Sequence, residues 1–393
     1  MDSSDNEDIS FVAKGSFGCV VQPALPNRAE RDRGWTRYPK NVTKLFFTRK
    51  NMKKAYNDSK HMYELLGHNK GHKTYKYKHS FMASNISRRV FEKCKKLKPD
   101  APLYPLRMRN LGYDIWSIPR HYKEFRSINV GTVLDQIVKV MKQIKKLVGR
   151  RLIHGDVRET NIMVNPKGGD ITVIDFDLLN PIETFFEKAH LGFYCHPPEA
   201  LLYKDIKSLL EATKSGDERT INTILNFRDT SERMDKYVEH HSEFEFAGPA
   251  NLNRTVSRAE LVLDLKHSLR FYATHVDGSV SKHFIRKAMR ETMLQSFDGY
   301  GLAFSLLQFI THVYPPVTRP IQKDEYDESL KSRLSNGGRP YSSKQIRTIR
   351  TTLHKLVFEV LEPMISLRIQ DRMMITDALE ATRALVKEFH ESM

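Results

Sequence analysis

One polar segment in the middle of the chain constrains its fold more than any other feature. Residues 154–161 read HGDVRETN and residues 173–177 read VIDFD, and short apolar runs lie before and between them. This pattern predicts a loop between buried strands that presents the side chains of Asp156, Asn161 and Asp175. Phosphoryl transfer needs such groups, because one carboxylate can accept a hydroxyl proton while oxygen ligands hold Mg²⁺ on a triphosphate. Magnesium keeps some of its waters, so few protein ligands suffice.

The spacing H-x-D-x-x-x-x-N, followed by D-F, resembles the catalytic and metal-binding loops of the protein kinase superfamily. The resemblance implies that Asp156 is the catalytic base and that Arg158, in place of the usual lysine, neutralises the γ-phosphate. It implies that Asn161 and Asp175 bind Mg²⁺. The implied fold is α+β with two lobes, a small β-rich N-lobe and a larger, mainly helical C-lobe. The implied cofactors are ATP and Mg²⁺, and the implied reaction is phosphate transfer to protein serine or threonine hydroxyls.

A glycine-containing segment near the N-terminus resembles the nucleotide loop of the same family. Residues 13–20 read AKGSFGCV, and glycines let a backbone approach phosphates closely. Lys44 resembles the strand lysine that binds the α- and β-phosphates, and Glu64 resembles the glutamate that pairs with it. An ordinary hairpin, a surface lysine and an exposed helix acid are the alternatives. The nucleotide-site residues that the resemblance implies are Ala13, Gly15, Ser16, Phe17, Gly18, Val20, Val42, Lys44, Glu64, Arg109, Leu111, Asp114 and Met163.

Three further residues favour a protein substrate. Glu199, in the sequence PPE, resembles the glutamate that ends an activation segment, and Arg372 resembles the late arginine that pairs with it. Asp298 resembles the buried aspartate at the start of a helix that anchors the catalytic loop. Incidental surface charges are the alternative for each. A small-molecule phosphotransferase of the aminoglycoside and choline kinase type is the second candidate, and a pseudokinase scaffold is the third.

The pattern also departs from the family. Gly155 stands where many kinases have an arginine that couples to a phosphorylated activation segment, so we expect activity without phosphorylation of residues 175–199. Asp177 replaces the glycine of D-F-G. The H-G-D form and an acid after D-F also resemble the aminoglycoside and choline kinase group. The segment between Glu199 and Asp298 is far longer than is usual, and the divergent spacing, the H-G-D loop and this insertion resemble protein kinases of large DNA viruses.

Hydrophobic periodicity predicts the organisation of the chain. Residues 1–112 are expected to form the N-lobe and residues 113–393 the C-lobe, which carries an insertion at 200–297 that is either near a protein-docking site or a solvated elaboration. The predicted strands are two joined by a glycine-rich turn within 9–21, and then 42–47, 103–108, 152–153, 162–164 and 171–174. The predicted helices are 52–66, 86–94, 130–148 and 261–272.

The net charge and the cysteine content limit which partners and which cellular compartment the sequence predicts. The net charge is +17, and residues 44–98 hold sixteen Lys or Arg against three acidic residues. Such a face could attract an acidic protein substrate, nucleic acid or a membrane surface. Nucleic acid is not favoured, because no nucleic-acid module is recognisable, and a solvated surface is the other interpretation. The three cysteines lack metal-type spacing, so reduced thiols are expected. An acidic N-terminus and the lack of a long apolar run predict no signal peptide and no membrane span. We therefore expect a cytoplasmic protein, in the host cytoplasm or virion if it is viral.

Overall fold

The computed structural model of the chain is a mixed α+β protein with small antiparallel sheets and a largely helical second part. It divides into two compact units, Met1–Leu111 and Gly112–Met393, one residue before the predicted lobe boundary. The structure describes residues 10–14, 18–22, 41–66, 75–76, 81–82, 94, 102–125, 128–188, 195–203, 205–226, 228–243, 257–274, 282–314, 335–336 and 339–393.

The first unit is an antiparallel sheet with one described helix, α1 (Arg49–Leu66). The strand order is β1-β2-β3-β6-β4, and β5 also pairs with β6. The strands are β1 (Ser10–Lys14), β2 (Gly18–Gln22), β3 (Asn41–Phe46), β4 (Tyr75–Lys76), β5 (Phe81–Met82) and β6 (Pro102–Arg109). The predicted strands 42–47 and 103–108 are thus confirmed to within one residue, whereas the predicted helix 86–94 lies outside the described residues except for Cys94.

The core of this unit lies between the sheet and α1. Phe46 and Leu106 from the central strands pack with Met52 of the helix. The opposite face of α1 is exposed and basic, and it carries Arg49, Lys50, Lys53 and Lys54. Lys54 pairs with Asp58 one turn later at 3.0 Å. The basic residues of α1 therefore form a solvent-facing helix surface.

The structure joins Cys19 of β2 to Cys94 through a disulfide, with the two Cα atoms 6.2 Å apart. This separation lies in the range of bridged cysteines, which is roughly 4.4 to 6.8 Å. The expectation of three reduced thiols is therefore wrong for this pair, and only Cys195 is a free, buried thiol. The two residues are 75 positions apart, so only the tertiary fold brings them together.

The second unit contains the remaining elements. Its strands are β7 (Tyr113–Asp114), β8 (Leu152–Ile153), β9 (Ile162–Val164), β10 (Ile171–Val173), β11 (Asn180–Pro181), β12 (Ser335–Asn336) and β13 (Arg339–Pro340). Its described helices are α2 (Tyr122–Phe125), α3 (Val130–Gly149), α4 (Ile182–Lys188), α5 (Ile206–Ser215), α6 (Glu218–Leu225), α7 (Arg228–Glu243), α8 (Arg258–Thr274), α9 (Lys282–Val313), α10 (Ser343–Lys355), α11 (Glu362–Met364) and α12 (Ile375–Ser392). A π-helical stretch, Leu356–Leu361, connects α10 to α11.

Helix α3 confirms the helix predicted at 130–148. Its apolar positions recur at helical spacing and are buried, which is why the sequence pattern identifies it. Asn129 caps its start, because the side chain accepts the N–H of Thr132 at 3.1 Å. At its end, the N–H of Arg151 donates to the carbonyl of Val148 at 2.9 Å.

Helix α9 forms the centre of the second unit, and residues 296–311 along it are all buried. Asp298 lies inside this helix, so the expectation that it begins a helix is wrong. The reason is that residues 282–297 contain neither glycine nor proline, and the helix continues backwards into the predicted insertion. Helix α8 confirms the amphipathic helix predicted at 261–272, and it buries Leu261, Leu265, Leu269 and Tyr272. None of the described helices is long and apolar enough to cross a membrane.

Candidate active site

A β-hairpin brings the two polar loops of the second unit together. Strands β9 and β10 pair antiparallel, with Ile162 opposite Val173. The residues just outside this pair are therefore adjacent, and the N–H of Ile174 donates to the carbonyl of Asn161 at 2.8 Å. The loop that enters β9 and the loop that leaves β10 thus lie side by side.

His154 connects these two loops and is fully buried. Its Nδ1 accepts the N–H of Asp156 at 3.3 Å, so the hydrogen belongs on Nε2, which donates to the carbonyl of Ile174 at 3.0 Å. Burial lowers the pKa of His154 to about 4 and keeps the ring neutral. The ring also packs on Phe176, with centroids 4.7 Å apart. His154 therefore has a structural role, holding residues 174–176 against the loop.

Asp156 is largely buried and held on two sides. The amide Nδ2 of Asn161 donates to its Oδ2 at 2.7 Å and to its backbone carbonyl at 2.9 Å. The Nε of Arg158 lies 3.1 Å from its Oδ1. Burial raises the pKa of Asp156, Arg158 and Asn161 lower it, and the nearby charge of Asp175 raises it further. The carboxylate is therefore oriented and made more basic than an exposed aspartate.

Asp175 has an unusual backbone conformation. Its φ is 62° and its ψ 66°, which is the left-handed region, and a 3₁₀ turn, Phe176–Leu178, follows it. Few non-glycine residues adopt this conformation, although Asp and Asn tolerate it best. The Asp175 side chain is exposed. A strained residue that presents a carboxylate beside a second carboxylate is typical of a functional site.

Asp298 binds the backbone of the loop that contains His154 and Gly155. Its Oδ2 accepts the N–H of His154 at 2.7 Å and its Oδ1 accepts the N–H of Gly155 at 3.0 Å. This confirms the predicted contact between a buried aspartate and the loop. Burial raises the pKa of Asp298 to about 6, against the effect of the two N–H donors. One turn later on α9, a Cβ at Gly301 would overlap the carbonyl oxygen of Val157, so this glycine allows the helix and loop to touch.

Gly155 is required by its surroundings. Its φ is +78°, and a Cβ there would overlap the ring of Phe185 in α4. Its carbonyl lies 3.3 Å from the Nε2 of buried His196. Phe185 and His196 both belong to the segment between Asp175 and Glu199. This segment therefore fills the space that a side chain larger than that of glycine would need at position 155.

Glu199 and Arg372 form the ion pair that the sequence predicts. Their side chains are completely buried and bidentate, with N–O distances of 2.5 and 3.0 Å. Arg372 also donates to the carbonyls of Ser366 and Leu367. Each side-chain nitrogen and oxygen of this ion pair therefore has a hydrogen-bond partner, which a buried ion pair requires.

The donor set can be tested against magnesium. Among the described residues, no three His, Cys, Asp or Glu side chains gather as a metal cluster. Because the Nδ2 of Asn161 donates to Asp156, its Oδ1 is left to serve as an oxygen ligand, and Asp175 supplies a carboxylate on the adjacent loop. One carboxylate and one amide oxygen fit Mg²⁺, which completes its shell with water and phosphate oxygens.

The predicted residues of the first unit lie on its sheet and helix. Lys44 is half-buried on central strand β3, with its Nζ 5.2 Å from the ring centroid of Phe46, and β3 also carries buried Val42. Val20 pairs with Lys44 across β2 and β3. Glu64 lies on α1, but its side chain is outside the described residues. Ala13 and Gly18 lie on β1 and β2, and Gly15, Ser16 and Phe17 fall outside the described residues.

The predicted connecting residues have local structural roles. Arg109 ends β6, and Leu111 is the last residue of the first unit. Asp114 caps the 3₁₀ turn Ile115–His121, because its Oδ1 accepts the N–H of Ser117 at 2.7 Å. Met163 pairs with Asp114 across β9 and β7 and is half-buried. One carboxylate oxygen of Asp114 is therefore engaged in capping.

Sequence reasoning missed several residues that shape the site. Gly301, Phe185 and His196 act through contacts across the fold, as do the buried tyrosines Tyr237 and Tyr300, whose hydroxyls lie 2.7 Å apart. A signal was present only for Gly301, because an isolated glycine inside an apolar helix often marks a close approach.

No protein-family model and no curated protein matches the chain. The functional argument therefore depends on the residues and their geometry.

Proposed function

We propose that the chain is an ATP-dependent protein kinase with the two-lobed kinase fold, acting on serine or threonine hydroxyls. The observation that carries this proposal is the loop bound to Asp298. This loop carries Asp156, whose carboxylate accepts a hydrogen bond from Asn161. The charge of Asp175 is close enough to raise the pKa of Asp156. Phosphoryl transfer uses two carboxylates and a carboxamide in this way.

Each residue has a role in the proposed reaction. Asp156 orients the attacking hydroxyl and accepts its proton, a task that its burial favours because a more basic carboxylate is a better acceptor. Arg158 neutralises negative charge on the γ-phosphate. Asn161 and Asp175 hold Mg²⁺, which neutralises charge on the phosphates when it is bound. Lys44 binds the α- and β-phosphates.

A protein substrate is favoured over a small molecule. The buried Glu199–Arg372 pair and the Asp298 anchor are the features that the protein kinase resemblance implies. The direct test is magnesium-dependent transfer of labelled phosphate from ATP to a panel of basic, acidic and tyrosine-containing proteins, aminoglycosides and choline. Labelling of aminoglycosides or choline alone would favour the small-molecule enzyme, and no turnover with any substrate would favour a scaffold.

Three variants test the assignment of residues. Asp156→Asn should lower turnover about 10²- to 10⁴-fold while ATP binding stays near wild type, because the base acts on the hydroxyl. Asp175→Asn should abolish turnover and weaken magnesium-dependent ATP binding. Asp170→Asn is the matched control, since Asp170 lies at the other end of the same hairpin and pairs only loosely with Lys139, at 3.9 Å. Normal turnover in the Asp156→Asn protein would refute the assignment.

A further inference from the structure

Arg151 has a backbone conformation that normally selects glycine. It follows the last turn of α3, and its φ is 57°. Glycine is favoured at this position after a helix, and an L-residue there costs roughly 1 kcal/mol. The chain keeps a long cationic side chain at this position, which suggests that the side chain has a function.

The side chain of Arg151 joins two other elements. Its Nε donates to Glu183 of α4 at 2.7 Å, and its Nη1 and Nη2 donate to Glu291 of α9 at 3.0 and 2.8 Å. The hydrogen bonds from Arg151 lower the pKa of both carboxyls. A forked guanidinium with two carboxylates in this geometry is more specific than a single surface ion pair.

The backbone of Arg151 holds the same segment. Its carbonyl accepts the N–H of Ile182 at 2.9 Å. The next two residues form β8, which pairs with β11 so that Leu152 faces Pro181. Two residues beyond Glu183, the ring of Phe185 covers Gly155. Arg151 and β8 thus contact residues 180–183, which lead directly to Phe185 and its contact with the loop that carries Asp156.

We infer that Arg151 is a positioning residue and that Glu183 supplies, as an encoded carboxylate, the negative charge that a phosphate would otherwise bring to this segment. The inference rests on the proposed function and refines the regulation of that same site. It gives a physical reason why Gly155 need not be an arginine: the cation that secures the segment comes from the end of α3.

The test compares two exposed arginines that each lose an ion pair. Arg151→Gly relaxes the backbone and removes the side chain, so a loss of activity cannot be attributed to backbone strain. We expect turnover to fall about tenfold, equivalent to ~1.4 kcal/mol, with the KM for ATP nearly unchanged. The rate of amide hydrogen exchange across residues 180–185 should rise at least about tenfold. Arg383→Gln, which breaks a 2.7 Å pair with Glu380 on α12, should change neither quantity.

Two further experiments sharpen the result. Glu183→Gln should reproduce the loss, and Arg151→Glu combined with Glu183→Arg should restore part of it, because the arginine introduced on α4 could then bind both the carboxylate introduced after α3 and that of Glu291. Phosphatase treatment should leave wild-type turnover unchanged. Unchanged turnover and exchange in Arg151→Gly, or loss of activity after phosphatase treatment, would overturn the inference. If the wild-type chain transfers no phosphate, the proposed function fails, while the exchange measurement still decides whether Arg151 holds the segment.

Discussion

Two ion networks secure the segment between Asp175 and Glu199, and they differ in burial. At its end, the Glu199 and Arg372 side chains are 0% exposed. Nearer its start, the side chains of Arg151, Glu183 and Glu291 are each almost half exposed. An exposed ion pair contributes little to stability, whereas removing one partner of a buried pair leaves an uncompensated charge. The buried network should therefore determine whether the unit folds, and the exposed one how the segment is positioned.

The surroundings of the buried pair include side chains from the long segment before Asp298. Tyr300 of α9 packs against Arg372, whose guanidinium carbon lies 5.4 Å from the ring centroid. The hydroxyl of Tyr300 bonds to Tyr237 of α7. Asp264 of α8 binds Arg368 at 3.0 Å, next to the carbonyls that receive Arg372. Helices α7 and α8, which lie within residues 200–297, therefore contribute side chains to the surroundings of the ion pair.

The largest expected effect comes from breaking the buried pair. Glu199→Gln should lower the free energy of unfolding by about 3–5 kcal/mol, because Arg372 stays buried and charged. Chemical denaturation of the full chain measures this effect. Arg151→Gln, the exposed counterpart, should cost less than about 1 kcal/mol. Equal losses in the two variants would show that burial does not distinguish the networks.

The pH dependence of stability tests the buried end of this segment, near Glu199, in a second way. Burial, together with the nearby charge of Arg158, lowers the pKa of His196 to about 4. The imidazole of His196 takes up a proton near pH 6.5 in the unfolded chain but only near pH 4 in the folded chain. Stability is therefore lost as the pH falls from 6.5 to about 4. The full loss is about 3 kcal/mol.

Asp298 works in the opposite direction over part of this window. Its folded pKa of about 6 is raised above the unfolded value, so its contribution to stability is lost as the pH rises from about 4 to 6. The measurement is therefore the difference between wild type and His196→Gln at each pH. A difference that stays constant from about pH 7 to about pH 4 would contradict the assignment of a neutral, buried His196.

Close contact between α9 and the loop gives a third comparison. Gly301→Ala should destabilise the chain by about 1–3 kcal/mol and lower turnover, because the new methyl group overlaps the Val157 carbonyl. Gly299→Ala is the matched control on the same helix, since its Cβ would find its nearest neighbour at 3.5 Å. If both variants behave alike, the contact does not position the loop.

The features that the sequence predicts best have a local pattern or a recognisable spacing. Helix 130–148 follows from its apolar periodicity, and the Glu199–Arg372 and Asp298 contacts follow from the kinase resemblance. The Cys19–Cys94 bridge and the covering of Gly155 by Phe185 had no local signal, because each joins residues that are distant in sequence. The backward extension of α9 is not predicted, because the long segment before Asp298 is interpreted as an insertion that ends at residue 297.

The smallest predicted effect concerns the tyrosines that cover the buried pair. Tyr237→Phe removes the 2.7 Å bond to Tyr300 and should cost about 1 kcal/mol. Tyr314→Phe is the control, because the buried Tyr314 hydroxyl has no hydrogen-bond partner among the described residues, and its loss should be neutral or slightly stabilising. If α7 supports the ion pair through Tyr300, Tyr237→Phe and Glu199→Gln should be non-additive by at least about 0.5 kcal/mol in a double-mutant cycle. Additive losses would mean that the tyrosine contact and the ion pair stabilise the unit independently, and that α7 covers the pair without supporting it.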